Sequence, residues 1–332
     1  MFFGKKNIDR LGADLVKDNH YERGVTMKKK PLVMALALLA CGGIAHAELG
    51  KDWVLATPSA PWPPARTIAV GVYQGKMWVS MGYGGQGGVW RSSDGENWTK
   101  TAGEGDWIGR NILPTRDGKM YSVNGGVWET ENGAVWTEVL ATGAPSWGSL
   151  VELHGVFFGI GGGNATVTRS PNLIDWTQLH LVAPFGWRDG HATVAHNDKI
   201  WVLGGHSRSS DVWSSPNGVA WTLVTESAGW SDRSLHAAVA ADGKIWVMGG
   251  SPEGSPRHIG DVWSSPDGLN WTMITEHAPW GPLRMHASVV YRNKIWIIGG
   301  EEPGDGYTFT KKVWYSEIPV PETAAKVWQT YE

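Results

Sequence analysis

WSDRSLHAAVAADGKIWVMGG at residues 230–250, followed after an insert by DVWSSPDGLNWTMIT at 261–275, decides how this chain folds. It reads as four short strands and their turns. Trp230 to Ala240 is a first strand. Asp242-Gly243 is a two-residue hairpin turn of the kind whose twist matches the strands it joins. Lys244 to Gly250 is a second strand ending in a glycine pair. Asp261 to Ser265 is a third, Pro266-Asp267-Gly268 a turn, and Asn270 to Thr275 a fourth. The 3.6-residue apolar period of a helix is missing.

The pattern recurs outward in both directions. Copy four runs through Trp187, Arg188, His191, Lys199 to Gly205, Asp211-Val-Trp213 and Asn217-Gly218 to Trp221. Copy six has Trp280, Arg284, His286, Lys294 to Gly300 and Val313-Trp314. Copies one to three are looser, with Trp62/Arg66, Trp107/Arg110 and Trp147 at the first strand and Trp90 and Trp128 at the third. The fourth strands open on one turn pattern: SSDGENW (92–98), TENGAVW (130–136), SPNLIDW (170–176), SPNGVAW (215–221) and SPDGLNW (265–271). Of the 22 tryptophans, only Trp328 falls outside the register.

Four antiparallel strands repeated about every 45 residues are the signature of a propeller blade. The expected fold is all-β: a six-bladed propeller of four-stranded antiparallel blades. Copy six stops after its third strand, at Trp314-Tyr315-Ser316. Asp52-Trp53-Val-Leu-Ala-Thr57 reads as the missing fourth strand. The N-terminal strand would then close the last blade and remove its free edges.

Arg-x-x-His-Ala, Lys-Ile-Trp-Val-x-Gly-Gly and Asp-Val-Trp resemble kelch repeats of the galactose-oxidase-like superfamily, over roughly residues 50–316. The Ser-x-Asp/Asn-Gly-x-x-Trp turns resemble, more weakly, the Asp-boxes of sialidases. The first resemblance implies a β-propeller and brings a copper site with a Tyr–Cys cofactor to mind. The only cysteine is Cys41, outside the repeats, so that cofactor cannot be built. No cofactor and no metal site are expected. Periplasmic propellers similar to this pattern include sialic-acid mutarotases with an Arg/Glu-lined channel.

The N-terminus reads as targeting. Lys28 to Lys30 form a basic segment, Pro31 to Ala40 an apolar one, and Ala45-His46-Ala47 a cleavage site. Residues 27–47 are thus a secretory signal and 1–26 an upstream over-extension of the reading frame. The propeller would span 48–318 and a tail 319–332. Leu38-Leu39-Ala40-Cys41 also resembles a lipobox, so a lipid anchor at Cys41 competes with cleavage after Ala47. The apolar run is too short to span a bilayer comfortably. The expected location is secreted or periplasmic. Residues 1–47 carry eight basic and four acidic side chains, so their removal takes the net charge from −3 to −7. Without a basic cluster in the folded part, nucleic acid is not an expected partner.

First strands start, and second strands end, at one end of each blade. That end gathers Arg66, Arg110, Arg188, Arg233 and Arg284, with His191, His236 and His286. The loops after the glycine pairs add His206, Glu253, His258, Glu301 and Tyr307. Two readings stand. The recurring Arg and His are packing residues of the repeat, or several Arg converge on a carbohydrate carboxylate. Glu301, Glu253 and His258 occur in single copies and are the candidate acids or bases. The expected function is recognition of an extracytoplasmic ligand, carbohydrate first. The alternatives are an enzyme on acidic sugars (mutarotase-like, then sialidase or lyase) and a protein-interaction scaffold.

Overall fold

Each copy of the repeat folds into one antiparallel sheet. The computed structural model describes residues 47–319, apart from positions 66, 67, 82–86, 104, 106–112, 147, 163, 164, 207–209, 253–257, 305 and 307. Blade five comprises Ala237–Ala241, Lys244–Gly250, Ile259–Ser265 and Thr272–Thr275, each strand hydrogen-bonded to the next. Blades one to four repeat this order from Ile68–Tyr73 through Thr222–Thr225. First strands touch between blades three and four, four and five, five and six, six and one, and one and two, so they ring a central axis. The fold is a six-bladed β-propeller. Among the described residues there is no helix, and hence none able to cross a membrane.

The hairpins between first and second strands use the predicted tight turns. Asn197 and Asp198, and likewise Arg292 and Asn293, take left-handed backbone conformations, as a type I′ turn requires. In every blade the pairing of third and fourth strands slips by one residue, a bulge that bends the outer strand.

Blade six is closed by Val54–Thr57, which pairs with Val313–Glu317. The turn motif is split between the two ends of the chain. In blade five the Ser265 hydroxyl accepts from the Gly268 amide at 2.8 Å, and Trp271 Nε1 donates to the Gly268 carbonyl. In blade six Ser316 accepts from the Gly50 amide at 2.8 Å, and Trp53 Nε1 donates to the Gly50 carbonyl. The serine and the glycine of one motif are thus brought together from positions 266 apart.

The tryptophans hold the blades together. Trp78, Trp201, Trp246 and Trp296 of the second strands are buried, each donating Nε1 to a carbonyl at the end of its own first strand. The glycine of a turn motif lies flat against such a ring in the preceding blade: Gly133 on Trp78, Gly268 on Trp201, Gly95 on Trp296. A Cβ there would enter the ring, so the Gly and the Trp recur together. Blade three supplies the exception that confirms the packing. Its motif carries Leu173 instead of Gly, and the facing residue of blade two is Tyr121, whose smaller ring leaves room for the leucine. Each buried aromatic of this size contributes about 2–3 kcal/mol of transfer free energy.

The entry to blade four differs from expectation. Trp62, Trp230 and Trp280 sit edge-on against Trp98, Trp271 and Trp53. In blade four that position belongs to Phe185, edge-on to Trp221 at 4.9 Å. Trp187 stands two residues later and is 49% exposed. Its identity as a tryptophan, not its register, had matched it to the repeat.

Candidate functional site

Phe185, Trp230 and Trp280 each stand six residues before a histidine, His191, His236 or His286. That frame aligns the strand entries of blades four to six. Arg188 and Arg233 occupy its fourth position. Both are fully buried, and both clamp the aspartate of Asp-Val-Trp in their own blade. Arg188 donates to Asp211 at 2.7 and 2.9 Å, and Arg233 to Asp261 at 2.6 and 2.7 Å. Each also donates to the first glycine carbonyl of the Gly-Gly pair, Gly204 or Gly249. Their charges are spent inside the blade and are not presented at the channel mouth.

Arg284 is not the third member of this set. Leu283 takes the frame position in blade six, and Lys312 replaces the aspartate before Val313-Trp314. Backbone bonds agree: Gly205 N donates to Arg233 O, as Gly250 N donates to Leu283 O. Arg284 lies one residue further on, opposite Glu301, where blade five has Ser234 opposite Ser251. The spacing Arg-x-His, in place of Arg-x-x-His, was the signal in the sequence.

The three histidines serve the seams between blades. His191 lies on Gly161 of blade three and bonds through Nε2 to Ser149 Oγ at 2.8 Å. His286 lies on Gly249 of blade five, as Ile68 of blade one lies on Gly299 of blade six. Burial, with Arg188 nearby, pushes His191 down to about 3. Burial alone takes His286 down to about 3. Burial, Arg233 and the two other imidazoles hold His236 well below its ordinary value. All three are neutral, and the ring nitrogens of His286 lack hydrogen-bond partners. The residues before them, Gly190, Leu235 and Met285, are all left-handed, and a backbone chain links them across blades: Leu235 N to Gly190 O at 2.7 Å, Met285 N to Leu235 O at 2.9 Å. For Leu and Met this conformation costs about 1–2 kcal/mol each.

At the junction of blades five and six the repeat gives way to a buried constellation. Arg284 Nη2 donates to Glu301 Oε1 at 2.6 Å, and His258 Nε2 lies 3.7 Å from the same oxygen. Glu301 and His258 are almost wholly buried, while the Arg284 side chain is 22% exposed. Main-chain bonds in both directions between Arg284 and Glu301 fix the pair. Burial, then Arg284, lowers the His258 pKa, and Glu301 pulls it the other way. Glu301 Oε2, Arg284 Nε and His258 Nδ1 are buried without hydrogen-bond partners. Such orphaned groups cost about 1–3 kcal/mol each and collect where a structure serves chemistry or binding. Beside them Lys312 Nζ reaches Glu302 at 2.8 Å. In the next blade back, His206 Nε2 meets Ser234 Oγ at 3.2 Å.

Residues 170–285 match the DUF6242 beta propeller domain. That match runs from the end of blade three to the entry of blade six. The solved structure of YjhT shares the fold, with a TM-score of 0.64 and 14% identity over 78% of this chain and 96% of that one. No curated protein matches the chain.

Of the predicted site residues, the structure brings Arg284, Glu301 and His258 together and sets Arg188 and Arg233 apart in their ion pairs. His206 lies at the mouth of blade four. Arg66, Arg110, Glu253 and Tyr307 lie outside the described residues. Asp211, Asp261 and Ser149 were missed; the Asp-Val-Trp motif named the first two without showing their partners. Among the described residues no group of His, Cys, Asp and Glu could hold a metal ion. The constellation can donate hydrogen bonds from the exposed part of Arg284, backed by a carboxylate and a neutral imidazole.

Proposed function

We propose that this chain is a secreted, kelch-type propeller that recognises an extracytoplasmic carbohydrate at the channel mouth, around Arg284. The observation that carries the reading is the Arg284–Glu301–His258 constellation. It lies where the repeat is broken, on the face carrying the loops of blades five and six. Loops on a rigid repeat scaffold are where binding groups concentrate. Secretion is supported by the closing segment: its first cap, from Glu48 N to Asp52, starts just after the proposed cleavage site at Ala47. Lipidation at Cys41 would tether the same propeller.

The test is a glycan array probed with the chain from residue 48, followed by titration of any hit against Arg284→Ala. Binding that falls by about tenfold or more in the variant supports the site. No binding to any glycan removes the carbohydrate reading and leaves the protein-interaction scaffold. A second reading, acid–base chemistry on a sugar, draws on the contact between Glu301 and the neutral His258. Exchange of anomers followed by NMR on the bound sugar, in wild type and Glu301→Gln, separates an enzyme from a binder.

A further inference from the structure

We propose that Trp187 is a stacking platform for the carbohydrate, the surface on which the apolar face of a pyranose ring rests. This deepens the carbohydrate reading above and rests on it. Two residues after the ring that opens each blade, blade four has Trp187 where blade five has Asp232 and blade six Pro282. All three are exposed, so the fold has no need of an aromatic there. The packing role belongs to Phe185, buried with its ring edge-on to Trp221 at 4.9 Å and 5.2 Å from the Arg188 guanidinium. Among the described residues no hydrogen bond or ring contact engages the Trp187 indole. The linker that leads to it departs from its siblings in the same direction. Leu181 and Val182 are exposed, where the linkers into blades five and six carry Glu226-Ser227 and Glu276-His277. Apolar side chains held in water where the repeat elsewhere places polar ones mark a contact surface.

The platform is fixed from both sides. Arg188, the next residue, is fully buried and donates to the Phe185 and Gly204 carbonyls and to both carboxylate oxygens of Asp211. Gly186 N donates to the Ala183 carbonyl, and the Asp189 carbonyl accepts from His206 N, both at 2.9 Å. An indole on so constrained a backbone loses little freedom when a ligand arrives. It also belongs to the mouth. Gly190 O accepts from Leu235 N and Leu235 O from Met285 N, so the entries of blades four, five and six form one bonded row. Trp187 stands three residues before the first member of that row, and Arg284 immediately before the last. Asp189 and Asp232, exposed along it, add acceptors. A flat apolar face near carboxylates and a partly exposed guanidinium suits a sugar ring, which has an apolar C–H face and an edge of hydroxyls that donate and accept. A wholly apolar partner would strip water from those carboxylates and replace it with nothing.

The experiment probes the glycan array with the chain from residue 48 as wild type, Trp187→Asp, Trp187→Leu and Trp187→Phe, and carries the strongest wild-type glycan into calorimetric titration. Trp187→Asp copies blade five, so its thermal midpoint should stay within about 2 °C of wild type. Affinity should fall about tenfold or more in the Asp and Leu variants and stay within about threefold in the Phe variant. Leucine keeps the apolar character but not the flat face, which separates stacking from plain burial. Wild-type affinity in Trp187→Asp overturns the platform and leaves the reading at Arg284 standing. A Phe variant that loses as much as the Asp variant also overturns it, because an aromatic face then counts for nothing. No glycan bound by the wild-type chain removes the carbohydrate reading and the platform with it.

Discussion

Lowering the pH from 7 to 5 should destabilise this propeller by up to about 6 kcal/mol, through His191, His236 and His286. In the unfolded chain these imidazoles titrate near their ordinary 6.5. In the fold, burial holds His191 and His286 at about 3 and His236 well below its ordinary value. Their contribution is complete above pH 6.5. It is lost as the pH falls toward 3, because the unfolded state binds protons that the folded state refuses. At pH 5 each costs about 2 kcal/mol, from about 1.36 kcal/mol per pH unit over roughly 1.5 units. Three such terms reach a large share of a typical domain's 5–15 kcal/mol, about 6 in all. The two turn carboxylates held low stay silent in this window. Asp94 and Asp267 suffer some desolvation, but hydrogen bonds within their turns outweigh it and hold them at about 2, so their contribution fades only at lower pH. The assay is the urea midpoint between pH 8 and 5, at constant denaturant slope. The informative variant is His286→Ile, since Ile68 fills the equivalent seam of blade one. Its loss of stability between pH 7 and 5 should be about one third smaller. A wild-type midpoint that does not move, or a variant that loses as much as wild type, refutes the reasoning.

Asp261→Ala should cost about 3–5 kcal/mol in urea denaturation, because it strands the buried Arg233. Adding Arg233→Leu and restoring position 261 as Lys copies Leu283 and Lys312 of blade six and should recover part of that loss. Gly268→Ala should cost about 3 kcal/mol by thermal unfolding, from a left-handed backbone and a collision with Trp201. Trp201→Tyr in the same chain should return some of it, as Tyr121 accommodates Leu173. Ser316→Ala should cost about 1 kcal/mol by removing the acceptor of the Gly50 amide. A chain lacking residues 48–58 should lose far more and expose a sheet edge; equal stability of that truncated chain rules out closure through Trp53.

The fold was legible because its two strongest signals are local. A hairpin such as Asp242-Gly243 and a turn such as Ser265 to Trp271 each complete their hydrogen bonds within seven residues. Repetition then multiplied the evidence, and the orphan Trp53 identified the closing strand. Where the reading slipped, it weighed residue type above register. Trp187 looked like an entry tryptophan, yet Phe185 has the spacing and the buried, edge-on ring. Arg284 looked like the repeat's arginine, yet Leu283 has its place.

The site was less legible because its pairs are long-range. Nothing local joins Arg188 to Asp211 or Arg233 to Asp261, at separations of 23 and 28 residues. Those pairs nonetheless explain why blade six matters. A buried arginine clamped by an aspartate inside a blade is held there by the cost of leaving either charge alone. Blade six has dropped both partners together, to Leu283 and Lys312, so no buried charge is stranded by the change. Lys312 then turns to Glu302, and Arg284 and Glu301 meet at the next position along, nearer the mouth. The ion pair of blade six thus sits one position along from those of blades four and five, with an arginine that is 22% exposed where Arg188 and Arg233 are fully buried. A structural repeat alone gives no reason for that relocation, and the orphaned Glu301 Oε2 and Arg284 Nε make it costly. Burial without partners is tolerated where something other than stability is being served, and here it coincides with a loop that forms its own hairpin, Glu301–Glu302 against Thr308–Phe309.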